Sequence, residues 1–430
     1  MKKNVLTVIA IVLVVAMMAS LVAVFAGCNG DNTGKENELK ALNTSAVSST
    51  LNADSGANFG SPVAKANLKV GLITLHDENS TYDANFIDAF KAATAELGLA
   101  ESQIIIKTGV DEDSSCYTTA TDLVNQGCQY IFADSFGHES FMKQAAQENP
   151  TVQFCHATGT SALTAGLNNF HNAFASIYEG RYLAGVAAGL KLKAMMTADS
   201  SVTPKVGYVG AWPYAEVKSG YTSFFLGIRS IVPTATMDVK FTNSWYDEVK
   251  EKESAESLIA GGCVLISQHA DSYGAPSACE AANVPNVSYN GSTEETCPNT
   301  FIVSSRINWA PYFKYSISCV MNGKNIATDW CGTIATGSVE LTAVGAKAAV
   351  AGTQAEIDTV KAKLQSGALK VFDTSKFTVN GATLTEYAAD VIDMGDFQPE
   401  TNAIVGGAFL ESVGRSAPYF DINIDGITIK

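Results

Sequence analysis

Short apolar runs separated by amphipathic stretches recur along this chain in two sets with matching spacing. The first set centres near Val70, Ile104, Ile131 and Phe154, the second near Val206, Val239, Leu265 and Val287. Successive centres lie roughly 34, 27 and 23 residues apart in the first set and roughly 33, 26 and 22 in the second, room each time for a strand–helix crossover. The pattern predicts strands at 68–74, 104–107, 130–133 and 152–155, with helices near 82–97, 117–125 and 139–148. Phe86, Ala89, Phe90, Ala93 and Leu97 mark the apolar face of the first helix. A long helix rich in glycine and alanine is expected over 174–192. Glu179, Arg181, Lys191 and Lys193 interrupt or flank it, so its small residues suit close packing in a soluble core rather than a membrane span. The second set opens at 205–209 and closes at 287–289. A strand at 301–304 and a helix at 308–321 are expected to return to the first lobe. Beyond them come a β-like stretch around 332–341, a helix at 353–366 and strand-like segments at 371–374 and 420–429. Two α/β lobes in tandem imply a cleft between them, where a small molecule would be held.

In a parallel α/β sheet the loops leaving the carboxyl ends of the strands line the ligand crevice. In the first lobe those loops carry Asp77, Ser80, Tyr82, Phe136, His156 and Thr158. In the second they carry Trp212, Trp245, Gln268, Asp271 and Asn290, and Trp309 begins the returning helix. Three of the four tryptophans thus fall on the cleft side. Aromatic rings beside Asp, Asn, Gln and His suit a flat ligand with a polar edge, since base–aromatic stacking is worth about 1–3 kcal/mol per base. Each aromatic could instead pack against its own helix, and His156 fits a structural hydrogen bond as well as a ligand contact.

The N-terminus reads as a targeting segment. Lys2 and Lys3 precede an uncharged apolar run over 5–25, followed by Phe25-Ala26-Gly27-Cys28. That order suits a lipoprotein signal peptide over 1–28, with Cys28 lipidated and the protein held outside the bacterial cell membrane; acyl chains add about 0.8 kcal/mol per buried CH₂. A retained transmembrane helix is the weaker alternative. Residues 29–67 are rich in Asn, Ser, Thr, Gly, Asp and Ala and read as a flexible tether. The expected division is 68–169 with 291–323 for the first lobe and 170–290 with 324–430 for the second.

A formal charge of −15 argues against a nucleic-acid polymer as partner. Eight cysteines remain beside Cys28, an even number that permits disulfides in an exported protein, while Cys155 and Cys263 sit in or beside expected buried strands. No G-x-S-x-G, H-E-x-x-H, Walker A or G-x-G-x-x-G string occurs, and the five histidines show no ligand spacing, so no catalytic set, metal or cofactor is expected. The run from Asp421 to Gly426 imitates the opening of an EF-hand loop but alternates like a strand with an Asp-Gly turn.

Several strings resemble the basic membrane protein family of substrate-binding lipoproteins, the purine-nucleoside-receptor group of ABC importers. They are Phe154-Cys155-His156-Ala157-Thr158-Gly159, Tyr178-Glu179-Gly180-Arg181-Tyr182-Leu183-Ala184-Gly185, Ser244-Trp245-Tyr246-Asp247 and Ser267-Gln268-His269-Ala270-Asp271. The resemblance implies a type I periplasmic-binding fold, two doubly wound lobes joined by a three-segment hinge. It implies capture of a purine base or nucleoside for an ABC permease in the membrane. The family's early loop corresponds to 77–82, its first-lobe strand-end site to 156–158, and its second-lobe contacts to Trp212, 268–271 and Asn290. Related branches carry Trp where this chain has Ser80 and an acid near Asn290, which leaves a free base or another small heterocycle open beside a nucleoside. A ligand-sensing receptor or surface adhesin on the same lobes is the alternative, and an extracellular enzyme lacks an acid/base pair.

Overall fold

A computed structural model describes residues 38–52, 57–395 and 398–430. The expected signal peptide, its lipidation site Cys28 and the start of the tether lie outside the described residues. Strands β1 (Val70–Ile73), β2 (Ile104–Lys107), β3 (Tyr130–Ala133), β4 (Gln153–Ala157) and β5 (Phe170–Ala175) accompany helices α1 (Thr81–Glu96), α2 (Ser114–Asn125) and α3 (Glu139–Glu148). Helix α4 (Ile177–Ala198) leads into β6 (Lys205–Gly210), α5 (Ala215–Ile231), β7 (Thr236–Phe241) and α6 (Glu248–Ala260). Then follow β8 (Ile266–His269), α7 (Gly274–Ala282), β9 (Asn286–Tyr289), β10 (Phe301–Ile307) and α8 (Ala310–Met321). Strands β11 (Asp329–Gly332) and β12 (Val339–Leu341), helix α9 (Thr353–Gln365) and a C-terminal stretch ending in β13 (Ile427–Ile429) complete the order.

Six strands form one parallel sheet in the order β11-β5-β4-β3-β1-β2. Seven form a second in the order β12-β10-β9-β8-β6-β7-β13, parallel except at its β12 edge. Strands β1 and β3 are buried at every position, which is why they read as continuous apolar runs rather than alternations. Helix α1 starts at Ser80, whose hydroxyl accepts from the Asp83 N–H, and buries Phe86, Ile87 and Phe90. Each such side chain contributes roughly 1.5–3 kcal/mol on leaving water.

Helices α4 and α5 pack with their backbones in contact. A Cβ on Gly185 would stand 2.0 Å from the Phe224 carbonyl oxygen, and one on Gly227 would stand 2.2 Å from that of Tyr182. The glycine-rich run of α4 therefore serves close packing, and among the described residues no helix is long and apolar enough to cross a membrane.

Several expectations shift. Residues 170–175, placed at the lobe boundary and partly inside the long helix, form β5 between β4 and β11, and the helix starts at Ile177. His171 and Asn172 disguise this strand; both are buried, with His171 Nε2 at 2.5 Å from Gln153 Oε1 and Asn172 Nδ2 donating to Asp329 Oδ1 at 3.1 Å. Strand β10 does not return to the first sheet but pairs with β9, while α8 does pack on α1. Strand β11 pairs with β5 rather than joining the second sheet. The chain thus changes sheets between β5 and α4, between β10 and α8 and between β11 and β12, not at 169/170, 290/291 and 323/324. The tether is not wholly free: Lys40–Ala41 pairs with Thr401–Asn402, and Ser48 bridges to Trp330 at the open edge of the first sheet. At 420–429 only Ile427–Ile429 is a strand, and residues 371–374 contribute one isolated bridge, Asp373 to Ala408. All eight described cysteines are free and buried.

Candidate functional site

The carboxyl ends of the two sheets face each other across a narrow cavity of about 20 Å³. Leu75, His76, Tyr82, Asp83, Ser135, Phe136 and Thr158 line it from the first sheet, and Glu216, Trp245, His269 and Asp271 from the second. The two sides touch. The Thr81 N–H donates to the Asp271 carbonyl at 3.0 Å, and Asn85 Nδ2 donates to the Ile307 carbonyl at 2.7 Å. The His76 and Tyr246 rings lie 5.5 Å apart, and Phe136 and Tyr214 lie 5.8 Å apart.

The first α1 turn organises one wall. Asp83 accepts from the His76 N–H at 2.7 Å and the Ser80 hydroxyl at 2.5 Å, and its Oδ2 lies 3.4 Å from His76 Nδ1. Burial works against its charge, but His76 and Ser80 outweigh it and hold the Asp83 carboxyl below the usual range. His76 is raised despite its own partial burial, because Asp83 favours the imidazolium. Behind them, burial and then the Asp83 charge push Asp134 well above the ordinary carboxylate value. The Tyr82 hydroxyl donates to the Asp134 carbonyl at 2.8 Å, which fixes the ring against the cavity.

The opposite wall is built on Arg181 of α4, which is buried and donates from Nη1 to the Gln268 carbonyl at 2.9 Å. Its guanidinium lies over the Tyr289 ring, 3.3 Å from the centroid, and Tyr289 packs on His269 at 4.6 Å. Burial and the Arg181 charge lower His269, while Glu216, 3.4 Å from its Nε2, opposes them. Asp271 is raised well above the ordinary value by burial and then by the charges of Asp83, Glu251 and Glu216. A bound solute therefore meets carboxyl oxygens at Asp83 and Glu216 and, at Asp271, a carboxyl that holds its proton more tightly than usual.

Of the positions expected to contact a ligand, Tyr82, Phe136, Thr158, Trp245 and Asp271 line this cavity, and Trp212 lines an adjoining one of about 260 Å³ with Tyr214, Trp245 and Tyr246. The others turn elsewhere. Asp77 is exposed and accepts from the Asn79 N–H, and Ser80 is the α1 cap. His156 is buried, with Nε2 donating to the Ser135 carbonyl at 2.6 Å, and burial lowers it to about 4. Gln268 donates to the Ala270 and Ser272 carbonyls. Asn290 is buried in a left-handed turn with φ of 63°. Trp309 lies in the core of the first lobe, stacked on Phe86 at 4.4 Å. Sequence reasoning passed over Asp83 and Glu216, while His76 and His269 stand in the strand-end loops expected to line the crevice. Among the described residues no group of three or more His, Cys, Asp or Glu is arranged to hold a metal ion.

Comparison with known proteins agrees with this architecture. Residues 74–375 match the model of the Bmp family, described as ABC transporter substrate-binding protein PnrA-like. A purine-binding protein of Brucella abortus is 30% identical over 267 residues, covering 61% of this chain and 72% of that protein. A putative ABC transporter glucose-binding protein of Haloferax volcanii is 32% identical over 207 residues, 48% of this chain, and the match spans only 50% of that protein. Among solved structures, an ABC transporter solute-binding protein from Conexibacter woesei superposes with a TM-score of 0.59 at 20% identity, covering 70% of this chain and 98% of its own. One from Aeropyrum pernix gives 0.60 at 15% identity, covering 76% and 95%. Two parallel sheets exchanging strands around a polar, aromatic-walled cavity, and a family match across most of the chain, lead to one assignment: the protein belongs to the Bmp family of PnrA-like ABC transporter substrate-binding proteins, which bind solutes and are not enzymes.

Proposed function

We propose that this protein captures a purine base or nucleoside between its two lobes and delivers it to an ABC permease, anchored outside the cell membrane by lipid on Cys28. The observation that carries the reading is the pairing of flat walls with a mixed polar edge. Tyr82, Phe136 and Trp245 offer ring faces, while Asp83, Glu216, His269 and Asp271 offer acceptors and donors at the rim of the same cavity. A heteroaromatic base has both features. The purine-binding relative supports the same class. The three changes of sheet serve as the hinge, and a solute touching both walls favours the closed arrangement through its differential affinity.

Isothermal calorimetry and thermal-shift measurements with adenine, guanine, hypoxanthine, their nucleosides and glucose test the assignment. A purine at one hundred times its Kd should stabilise the fold by about 2.7 kcal/mol. A shift with glucose and none with any purine would remove the purine assignment in favour of a sugar, the solute named for the haloarchaeal relative. Mass spectrometry of membrane-extracted protein, with Cys28→Ser as control, tests the anchor.

A further inference from the structure

We infer that the C-terminal stretch, residues 376–430, builds an outer compartment of the binding site that receives the sugar side of a base–sugar solute together with an uncharged substituent on that sugar. The inference rests on the purine reading above and extends it. This stretch lies beyond the residues that match the family model, which end at 375. It nevertheless forms one wall of a cavity of about 450 Å³ that shares Phe136, Thr158, Glu216 and Trp245 with the inner cavity. Tyr387, Arg415, Pro418, Tyr419 and Asp421 supply that wall.

The wall is held in place before any solute arrives. The Tyr387 hydroxyl donates to the Asp421 carbonyl at 2.8 Å, and Arg415 donates from Nε and Nη2 to the Ala417 and Pro418 carbonyls, each at 3.3 Å. Ser416 donates its N–H to Asp329 Oδ2 at 2.9 Å on the first sheet, and Ser219 of α5 donates to Glu411 at 2.6 Å. A wall so fixed has little ordering entropy left to lose on binding.

Size and charge choose the occupant. The outer cavity, at about 450 Å³, falls within the roughly 300–1,000 Å³ typical of small-molecule pockets, while the inner one, at about 20 Å³, is a narrow slot between the two walls. A flat base held between the walls of the slot leaves the outer compartment to whatever is attached to it. Aromatic and proline faces suit the C–H faces of a sugar or a second ring. Glu216, Asp390 and Asp421 line the compartment with Arg415, and Lys218 pairs with Asp421, so three acids stand against two bases and the charge balance disfavours a phosphate.

Calorimetry on the purified protein tests this with the tightest-binding base among adenine, guanine and hypoxanthine, its nucleoside, the 5′-O-benzoyl nucleoside and the 5′-monophosphate, each on the wild type, Tyr387→Ala and Tyr387→Phe. The benzoyl derivative should bind within about threefold of the nucleoside and the monophosphate more than about tenfold more weakly. Tyr387→Ala should weaken both nucleoside forms by about 5- to 100-fold, the range expected for loss of an aromatic platform, and leave the free base within about twofold. Tyr387→Phe, which keeps the ring, should bind all probes as the wild type does. A base that loses as much as its nucleoside in Tyr387→Ala, or exclusion of the benzoyl derivative by the wild type, overturns the outer compartment and leaves the purine reading standing. Failure of every purine probe to bind the wild type overturns both.

Discussion

Replacing Glu411 by glutamine should change how stability depends on pH, and the structure sets the size of the change. Glu411 is buried on the C-terminal stretch and accepts from the Ser219 hydroxyl of α5 at 2.6 Å. Burial pushes its carboxyl up to about 8 from an ordinary 4.5; the Ser219 bond and the Arg415 charge oppose the shift, and the Glu216 charge adds to it. The folded protein therefore holds this proton more tightly than the unfolded chain does. The resulting stabilisation is fully present below about 4.5 and is lost as pH rises through about 8. At about 1.36 kcal/mol per pH unit, the loss over that window is at most about 5 kcal/mol. With about 2.1 cal/mol/K of unfolding entropy per residue, a body of this size should lose at most about 6 °C of Tm. Glutamine keeps an acceptor for Ser219 and does not ionise. Circular-dichroism melts of both proteins from pH 5 to 8.5 should give Tm values within about 1 °C at the acid end, with the variant several degrees higher at the alkaline end. Glu179 and Glu251, both near 7, and Asp329, near 6, titrate in both proteins, so the difference curve isolates Glu411. Parallel curves, or a variant less stable at pH 8.5, would refute the reasoning.

Trp245 borders the inner cavity and both neighbouring ones, so Trp245→Ala should weaken purine binding by about 1–3 kcal/mol in calorimetry with little change in Tm. Trp309→Ala should do the reverse, costing about 3–5 kcal/mol in denaturant unfolding while Kd stays within about twofold; lost binding at unchanged stability would return Trp309 to the site. Gly185→Ala forces a Cβ to 2.0 Å from the Phe224 carbonyl, and chemical denaturation should report a loss of about 3 kcal/mol or more, or no folded protein. Burial pushes the thiols of Cys116, Cys155, Cys279 and Cys331 up to about 12, so a disulfide-exchange reagent at pH 8 should leave them unmodified until denaturant is added; rapid labelling of the native protein would contradict their packing.

Strands β1, β2 and β3 and helices α1 and α3 were legible because their apolar spacing is local and unbroken. Strand β5 was not, because His171 and Asn172 are satisfied by residues 13 or more positions away in the chain, among them Gln153, Asp329 and Ser416, and such pairings leave no mark at short range. The same limit hid the true changes of sheet: whether 301–307 joins one sheet or the other depends on pairing with β9, not on its own residues. At the site, strand-end logic found Tyr82, Phe136, Thr158, Trp245 and Asp271. It missed Asp83, although a signal was present. Asp83 shares the spacing of Phe86, Ile87 and Phe90, so a carboxylate lies on the apolar face of α1, where burial demands partners. Gln268, His156 and Asn290 have the right chemistry at the right strand ends, and only backbone geometry shows that they serve neighbouring main chain or a tight turn.

The C-terminal stretch bonds to both halves of the molecule. Thr164 donates to the Asp393 carbonyl at 2.7 Å and Ser416 donates to Asp329 on one side, while Glu411 accepts from Ser219 and β13 extends the other sheet. Beyond the three covalent connections, the halves thus share a clasp that must yield before they can swing apart. Such a clasp slows entry and escape alike, so the pace of exchange, more than the equilibrium hold on the guest, is the quantity this stretch governs.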